Sequence, residues 1–239
     1  MSLDEQTDTA GESTYRLVRH DIIYGKLAPG TRLRLEQLKT AYSASINTLR
    51  EILQRLSAEG FVVSKGQRGF EVAPVTQEEF SELAELRELI EGNAMTHSLR
   101  RGDLDWEGRV VGAHHKLARM ERRMMQGHQA DAERWKRYDR EFHHALISAC
   151  GSEELIDAHS RIFDQYLRYQ VVAVIFRGEV AASEHADLLS CALDRDADRA
   201  NAILHRHISA CVHHTLENNL LGPKAAMPKL ATEVTGGAA

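Results

Sequence analysis

The chain is poor in cysteine. Its three cysteines, Cys150, Cys191 and Cys211, are odd in number, far apart and form no CxxC pair. That excludes a disulfide framework and a cysteine-based zinc module, and suits small core residues in a reducing compartment. Proline is scarcer still for the length: none lies between Pro74 and Pro223, so nothing of that kind interrupts helices across the second half. No apolar run approaches the ~20 residues that a membrane-spanning helix needs, and the acidic, polar start Met1-Ser2-Leu3-Asp4-Glu5 is not a secretory signal. No HExxH, nucleophile elbow or phosphate loop occurs. These absences point to a cytoplasmic protein with no membrane partner, and away from an enzyme.

What is present is enough apolar material, 43% of 239 residues, to fill two domains. Charge divides the chain unevenly. Residues 14–75 hold ten Lys/Arg against five Asp/Glu, whereas residues 76–239 hold 20 against 26, and residues 1–13 hold four acids and no Lys/Arg. A basic small unit on an acidic larger one points to a polyanionic partner for the first unit.

Residues 1–13 are expected to be disordered. Tyr15, Val18 and Ile22 then recur at i, i+3 and i+7, predicting an amphipathic helix that stops at Gly25-Lys26-Leu27-Ala28-Pro29-Gly30. A second helix is expected over Leu35 to Tyr42. A third, N-capped by Ser45, buries Leu49, Ile52, Leu53 and Leu56. Phe61-Val62-Val63 and Phe70-Glu71-Val72 flank a two-glycine basic turn and read as a β-hairpin. Three helices and a hairpin in about 60 residues are the layout of a winged helix-turn-helix. On that layout Ser45, Asn47, Thr48 and Arg50 lie at the exposed start of a recognition helix. Lys65, Gly66 and Arg68 form the wing tip, and Arg34, with Arg32, adds nearby charge. Arg50 suits a guanine or a phosphate and Asn47 an adenine; the expected partner is double-stranded DNA.

From the capping box Thr76-Gln77-Glu78-Glu79 onward no strand is predicted. Six helices are, near 77–101, 105–126, 131–150, 152–176, 180–194 and 196–220, broken at Gly102-Asp103, Gly127, Gly151-Ser152, Gly178 and Asp194 to Asp198. The fold class is therefore mainly α: an N-terminal winged helix-turn-helix (14–75), a C-terminal all-α helical bundle (76–222), and a loose tail (223–239).

The bundle carries inward-aimed imidazoles. Asp139 and His143 lie at i, i+4 on one helix face. His185 falls in line with Leu188, Leu189 and Ala192, and His207 with Ile203, Leu204, Ile208 and Cys211. A divalent cation would satisfy one carboxylate and three imidazoles together; Zn²⁺, Ni²⁺, Mn²⁺ and Fe²⁺ all suit that donor set, with positions left open for a carboxylate ligand. A hydrogen-bonded core network is the competing explanation. One residue of helix phase would put His144, His205 or His214 in their place. Arg87 and Arg168, each among apolar neighbours, are candidates to pair an organic acid.

Two stretches resemble known families. Gly25-x-Leu27-x-Pro29-Gly30-x-x-Leu33, then Ser45-x-x-x-Leu49-Arg50-Glu51-x-Leu53-x-x-Leu56-x-x-Glu59-Gly60, then Arg68-Gly69, resemble the GntR family of bacterial regulators. Where that family commonly reads Ser-Arg-Thr-Pro-Val-Arg-Glu, this chain has Ser45-Ile46-Asn47-Thr48-Leu49-Arg50-Glu51; the loss of a basic residue at Ile46 puts the family's common operator in doubt. Glu85-Leu86-Arg87-x-x-x-Glu91, Asp139-x-x-Phe142-His143-x-x-Leu146, Glu184-His185-x-x-Leu188-Leu189 and His207-Ile208 resemble the FCD effector domain of the FadR subgroup. The resemblance implies a homodimer on a palindromic operator and a repressor as the default sign. It also implies a metal held by Asp139, His143, His185 and His207, and a small organic acid bound beside it. The alternatives are a regulator that senses the metal alone and a metal-dependent enzyme whose cation activates water.

Overall fold

The computed structural model describes residues 9–173 and 176–221. The first unit contains α1 (Ala10–Ile23), β1 (Arg32–Leu33), α2 (Leu35–Tyr42), α3 (Ile46–Ala58), β2 (Val62–Ser64) and β3 (Phe70–Val72). The second contains α4 (Gln77–Arg101), α5 (Leu104–Met125), α6 (Ala132–Ile147), α7 (Glu153–Val172), α8 (Glu179–Asp194) and α9 (Ala197–Glu217). Among the described residues no helix is long and apolar enough to cross a membrane.

Side-chain caps mark where these helices start. Thr9, Ser45, Thr76, Asp103, Ser152 and Asp196 each accept a backbone N–H from the first turn of the helix that follows, a contact worth about 1 kcal/mol. The first of them corrects an expectation. Helix α1 begins at Ala10, inside the segment 1–13 expected to be disordered. Thr9 caps the Glu12 N–H, and the Glu12 carboxylate pairs with Arg55 of α3 at 2.8 Å. Long-range pairing of this kind leaves no periodic trace. The tail 223–239 lies outside the described residues.

Val18, Ile22, Leu49, Leu53, Leu56 and Val72 are wholly buried and form the core of the first unit. Its sheet is three-stranded rather than a hairpin, in the order β1-β3-β2, antiparallel throughout; Leu33 pairs with Phe70 and Val62 with Val72. Two residues are too few for β1 to show alternation, so it was not expected. The wing tip is a 3-10 turn over Gly66–Arg68.

In the second unit α4 packs on α7 and α9, α5 on α6 and α8, and α8 on α9. Trp106 anchors α5 to α6, its Nε1–H donating to the Ala145 carbonyl at 2.9 Å. Cys150, Cys191 and Cys211 are buried and free.

Helix α7 belongs to both units. Phe163 and Leu167 complete the winged-helix core; burying two such side chains contributes about 1.5–3 kcal/mol each. Around them Arg19 of α1 bonds Asp164 at 2.8 Å, and Arg140 of α6 bonds the same carboxylate at 2.5 Å. Gln165 donates to the Glu59 carbonyl at 2.6 Å. The next residue, Gly60, has φ +82°, and a Cβ there would stand 3.0 Å from the Gln165 amide. A side chain at that position is thus strained by the backbone and crowded by α7.

Candidate metal centre and nucleic-acid interface

Asp139 and His143 come from α6, His185 from α8 and His207 from α9. All four are buried, and one ligand atom from each lies within 4.8 Å of the others. The helix phase is the one expected: His205 is exposed and bonds Glu88, while His144 and His214 are only partly buried and lie outside the cluster.

Each imidazole is backed by a glutamate. His143 donates its Nδ1–H to Glu91 (2.5 Å), His185 to Glu121 (2.6 Å) and His207 to Glu184 (2.8 Å). With Nδ1 protonated, the lone pair sits on Nε2. The Nε2 atoms of His143 and His185 are buried without a partner among the described residues, 3.8 and 3.4 Å from Asp139 Oδ1. An orphaned buried acceptor is costly. Neutral imidazoles turned by carboxylates to present Nε2, beside one carboxylate oxygen, are what a divalent cation requires. The residues therefore fit a metal.

The electrostatics agree. Burial lowers the pKa of His143, more than Glu91 restores it. Burial and the neighbouring imidazoles push His207 down to about 3, so these rings stay neutral. Burial alone would raise Asp139, yet Lys136 and the imidazoles His143, His185 and His207 hold it well below the usual carboxylate range. Glu91 is likewise kept ionised, by Arg87 and His143 against the effect of burial. Glu184, opposed by burial, is drawn down to about 2 by the bonds from His207 and Arg177.

A narrow cleft, with about 10 Å³ for a water-sized group, opens on this cluster, lined by Trp135, Lys136, Gln170, Arg177, Ala181 and Cys211 besides the site residues Asp139, His185 and His207. The two arginines expected there go elsewhere. Arg168 is a correction: its Nη2 donates to the Ala73 and Pro74 carbonyls, clasping the linker between the two units. From Phe163 onward helix α7 is covered on nearly every side, by the first unit as well as the bundle, so the sequence does not say which way residue 168 points. Arg87 is fully buried but outside the cleft lining. Its Nε bonds Glu91 at 2.8 Å, and its guanidinium lies 4.3 Å from the Phe163 ring centroid and 4.8 Å from that of Tyr166; Nη1 and Nη2 have no partner among the described residues.

The three backing glutamates were missed by sequence reasoning. Glu121 was legible: it follows Leu117 by four and precedes Met124 by three on the buried stripe of α5, and an acid there needs a partner. Glu91 and Glu184 stand in the motifs already quoted but reveal no role by spacing. Arg177 and Lys136 carry no sequence signal that separates them from surface cations.

In the first unit Ser45 caps α3, its Oγ accepting from the Thr48 N–H at 3.1 Å and meeting Thr48 Oγ1 at 2.8 Å. Asn47 and Arg50 are exposed on the same helix. Arg34 is exposed at the start of α2, with Arg32 beside it in β1, and Lys65, Gly66 and Arg68 are exposed in the wing. Arg19, Lys26 and Arg55 of this unit pair with carboxylates. Among the described residues Arg32, Arg34, Lys39, Arg50, Lys65 and Arg68 do not, which leaves these six cations for a partner.

Residues 10–72 match the bacterial regulatory proteins of the gntR family, and residues 82–210 match the FCD domain. The HTH-type transcriptional regulator BphR of Paraburkholderia xenovorans (strain LB400) is 35% identical over 212 residues, spanning 88% of this chain and 86% of that protein. The HTH-type transcriptional repressor GlaR of Escherichia coli (strain K12) is 28% identical over 200 residues, 81% of this chain and 90% of its own. Two solved structures share the fold. E. coli McbR/YncC has a TM-score of 0.75 at 16% identity, with 89% of this chain and all of that one covered. A GntR transcriptional regulator from Rhodococcus sp. RHA1 has 0.72 at 23%, with 87% and 97% covered.

Proposed function

The chain belongs to the GntR family of bacterial regulatory proteins, in the FCD-containing class that forms its FadR subgroup, and from that premise we propose that it is a metal-dependent repressor released from its operator by a small organic acid. The family's members are DNA-binding transcriptional regulators and not enzymes; the metal, the acid and the sign of regulation are the proposal.

The observation that carries it is the convergence of three glutamate-backed imidazoles and Asp139 in a buried cluster. Asp139, His143, His185 and His207 would hold a divalent cation, Zn²⁺, Ni²⁺, Mn²⁺ or Fe²⁺. When bound, that cation supplies an electrophilic point for a carboxylate. Glu91, Glu121 and Glu184 fix the three rings. Trp135, Lys136, Gln170 and Arg177 shape the cleft beside them, and Arg87, outside that lining, acts through Glu91, which it pairs and which turns His143.

Residues 14–75 act as the DNA-binding unit and residues 76–222 as the effector-binding and dimerisation unit. Arg50, Asn47, Ser45 and Thr48 on α3, Arg34 at α2, and Lys65, Gly66 and Arg68 in the wing are the proposed DNA contacts. Two copies would read a palindromic operator with half-sites about one helical turn apart. The cleft speaks to the DNA unit through Phe163. Its ring centroid lies 5.6 Å from that of His143 and 5.4 Å from that of His159, while the same side chain fills the winged-helix core. A change at His143 or Arg87 therefore bears on the seat of the DNA unit, and a coupling of about 1–3 kcal/mol makes a useful switch.

The test is metal analysis of the purified protein, with operator DNA selected from a random pool. Binding of that DNA is then followed with and without chelator, across a panel of organic acids. About one metal per chain, and release by one acid only when metal is bound, is the expected result. DNA binding that follows metal alone would replace the acid-responsive reading with a metal sensor; a metal-free protein that still responds to an acid would remove the metal from the mechanism.

A further inference from the structure

Two cations line the cleft, and they differ in how they are satisfied. Arg177 is committed: its Nη2 donates to the Glu184 carboxylate at 2.7 Å and to the His207 carbonyl at 3.1 Å. Lys136 is not. Its side chain is 6% exposed, and its one hydrogen bond among the described residues is to a neutral acceptor, Gln170 Oε1, at 2.9 Å. The Trp135 ring lies 3.9 Å away. Its nearest carboxylate oxygen, Asp139 Oδ2, stands 3.7 Å off, too far for a hydrogen bond. Gln170 is itself held by its Nε2–H on Cys211 Sγ at 3.3 Å, which fixes the amide oxygen toward Lys136. The ammonium has three N–H groups and so keeps donors free at the cleft wall.

From this we infer that Lys136 anchors the acid. It receives the carboxylate that also reaches the metal, and it makes the metal and the acid bind together. The inference rests on the reading that Asp139 and the three histidines hold a divalent cation. Asp139 is then the shared counterion of two positive groups. Once it ligates a dication, Lys136 is a buried ammonium facing a second cation, with an amide and an indole face as neighbours. A buried charge without a counterion is costly, and one carboxylate lying between ammonium and metal relieves both. The cleft is narrow: a water-sized group has only about 10 Å³ there, room for about one such group beside the cluster. The fitting ligand class is thus a small carboxylic acid recognised by its carboxylate, and not its amide or alcohol. Metal without the acid is disfavoured, and each raises the affinity of the other by the same factor.

The test uses Zn²⁺ and acetate, the latter as the shortest stable carboxylate probe, on the full chain and the variants Lys136→Met and Lys136→Arg. Zn²⁺ affinity is read by chelator competition with and without excess acetate. Wild type should gain Zn²⁺ affinity when acetate is added. Lys136→Met should bind Zn²⁺ about fivefold or more tightly than wild type without acetate, because the opposing charge is gone, and should show no acetate gain. Lys136→Arg should keep the gain, which separates charge from packing. The same acetate gain in Lys136→Met as in wild type would overturn the role of Lys136 and leave the metal reading standing. A wild-type protein that takes up no Zn²⁺ would overturn both.

Discussion

Glu91 and Glu121 do the same job at the proposed metal centre, each turning one histidine, but they sit in different electrostatic company. That difference yields a quantitative prediction for Glu91→Gln and Glu121→Gln. Glu91 accepts from His143 (2.5 Å), His159 (3.0 Å) and Arg87 Nε (2.8 Å), and both it and Arg87 have no side-chain exposure. Removing its charge leaves the Arg87 guanidinium buried without a counterion, a loss of about 3–5 kcal/mol. For a chain of this size that is about 6–20 °C in Tm. Glu121 touches His185 (2.6 Å) and among the described residues pairs with no arginine or lysine, so a glutamine there keeps a neutral hydrogen bond and costs about 1–2 kcal/mol at most. Metal affinity should nonetheless fall in both, by about 10–100-fold, because both lose the carboxylate that orients a ligating ring. The assay pairs thermal unfolding of metal-free protein with chelator competition for Zn²⁺ or Ni²⁺. Equal Tm losses in the two variants would refute the ion-pair argument; unchanged metal affinity in Glu121→Gln would refute the assignment of that glutamate to the metal centre.

Further outcomes are expected. Arg50→Ala should weaken binding to the selected operator by about 1–3 kcal/mol with no change in Tm; unchanged DNA affinity would take Arg50 out of the interface. Metal-free protein should lose stability as pH falls below about 6.5. His143 and His207 have folded pKa values below their ordinary value, so the unfolded chain takes up protons that the native rings do not, at about 1.4 kcal/mol per pH unit per histidine. A Tm that is flat from pH 7 to 5 would contradict buried neutral imidazoles. Gly60→Ala should destabilise by more than the ~1 kcal/mol of an ordinary glycine replacement, since it meets both a left-handed backbone and Gln165; a stabilised variant would argue against that close approach.

Much of the fold was legible, for reasons visible in particular residues. The six C-terminal helices are bounded by glycines and capping residues that act within one turn, and α4 and α8 end on the residues expected, Arg101 and Asp194. For the proposed metal site the apolar stripes of α8 and α9 narrowed the choice of histidines only to within a residue of helix phase; the set Asp139, His143, His185 and His207 came from the family resemblance, and the packing brings those four together. The start of α1 was not, because it depends on Glu12 meeting Arg55, 43 residues away. Strand β1 was not, because it exists only by pairing with β3. Arg168 was misplaced because the first unit docks on α7 from Phe163 onward and so buries polar residues that the sequence cannot tell from pocket residues, and Lys136 was passed over because its burial is a property of the packed cleft.

On the proposed function the arrangement of α7 would let a small site govern a distant surface. The DNA unit is held against the bundle by the Arg19–Asp164–Arg140 network, the Gln165–Glu59 bond and the Arg168 clasp on the linker, with Phe163 and Leu167 as apolar anchors. All of these are on one helix, and that helix also bears His159, which bonds Glu91, and Gln170, which bonds Lys136. A ligand need not remake the interface. It has only to bias one of these contacts by a kilocalorie or two, about the worth of a single charge-assisted hydrogen bond, to move a two-state docking equilibrium about tenfold. On the proposed function Phe163 is the place where that bias would be read, since its ring contacts His143 and also fills the winged-helix core. Phe163→Leu should therefore keep metal and operator binding while shrinking the acid-induced change in DNA affinity, measured on the same selected operator. An undiminished response in that variant would place the coupling outside α7.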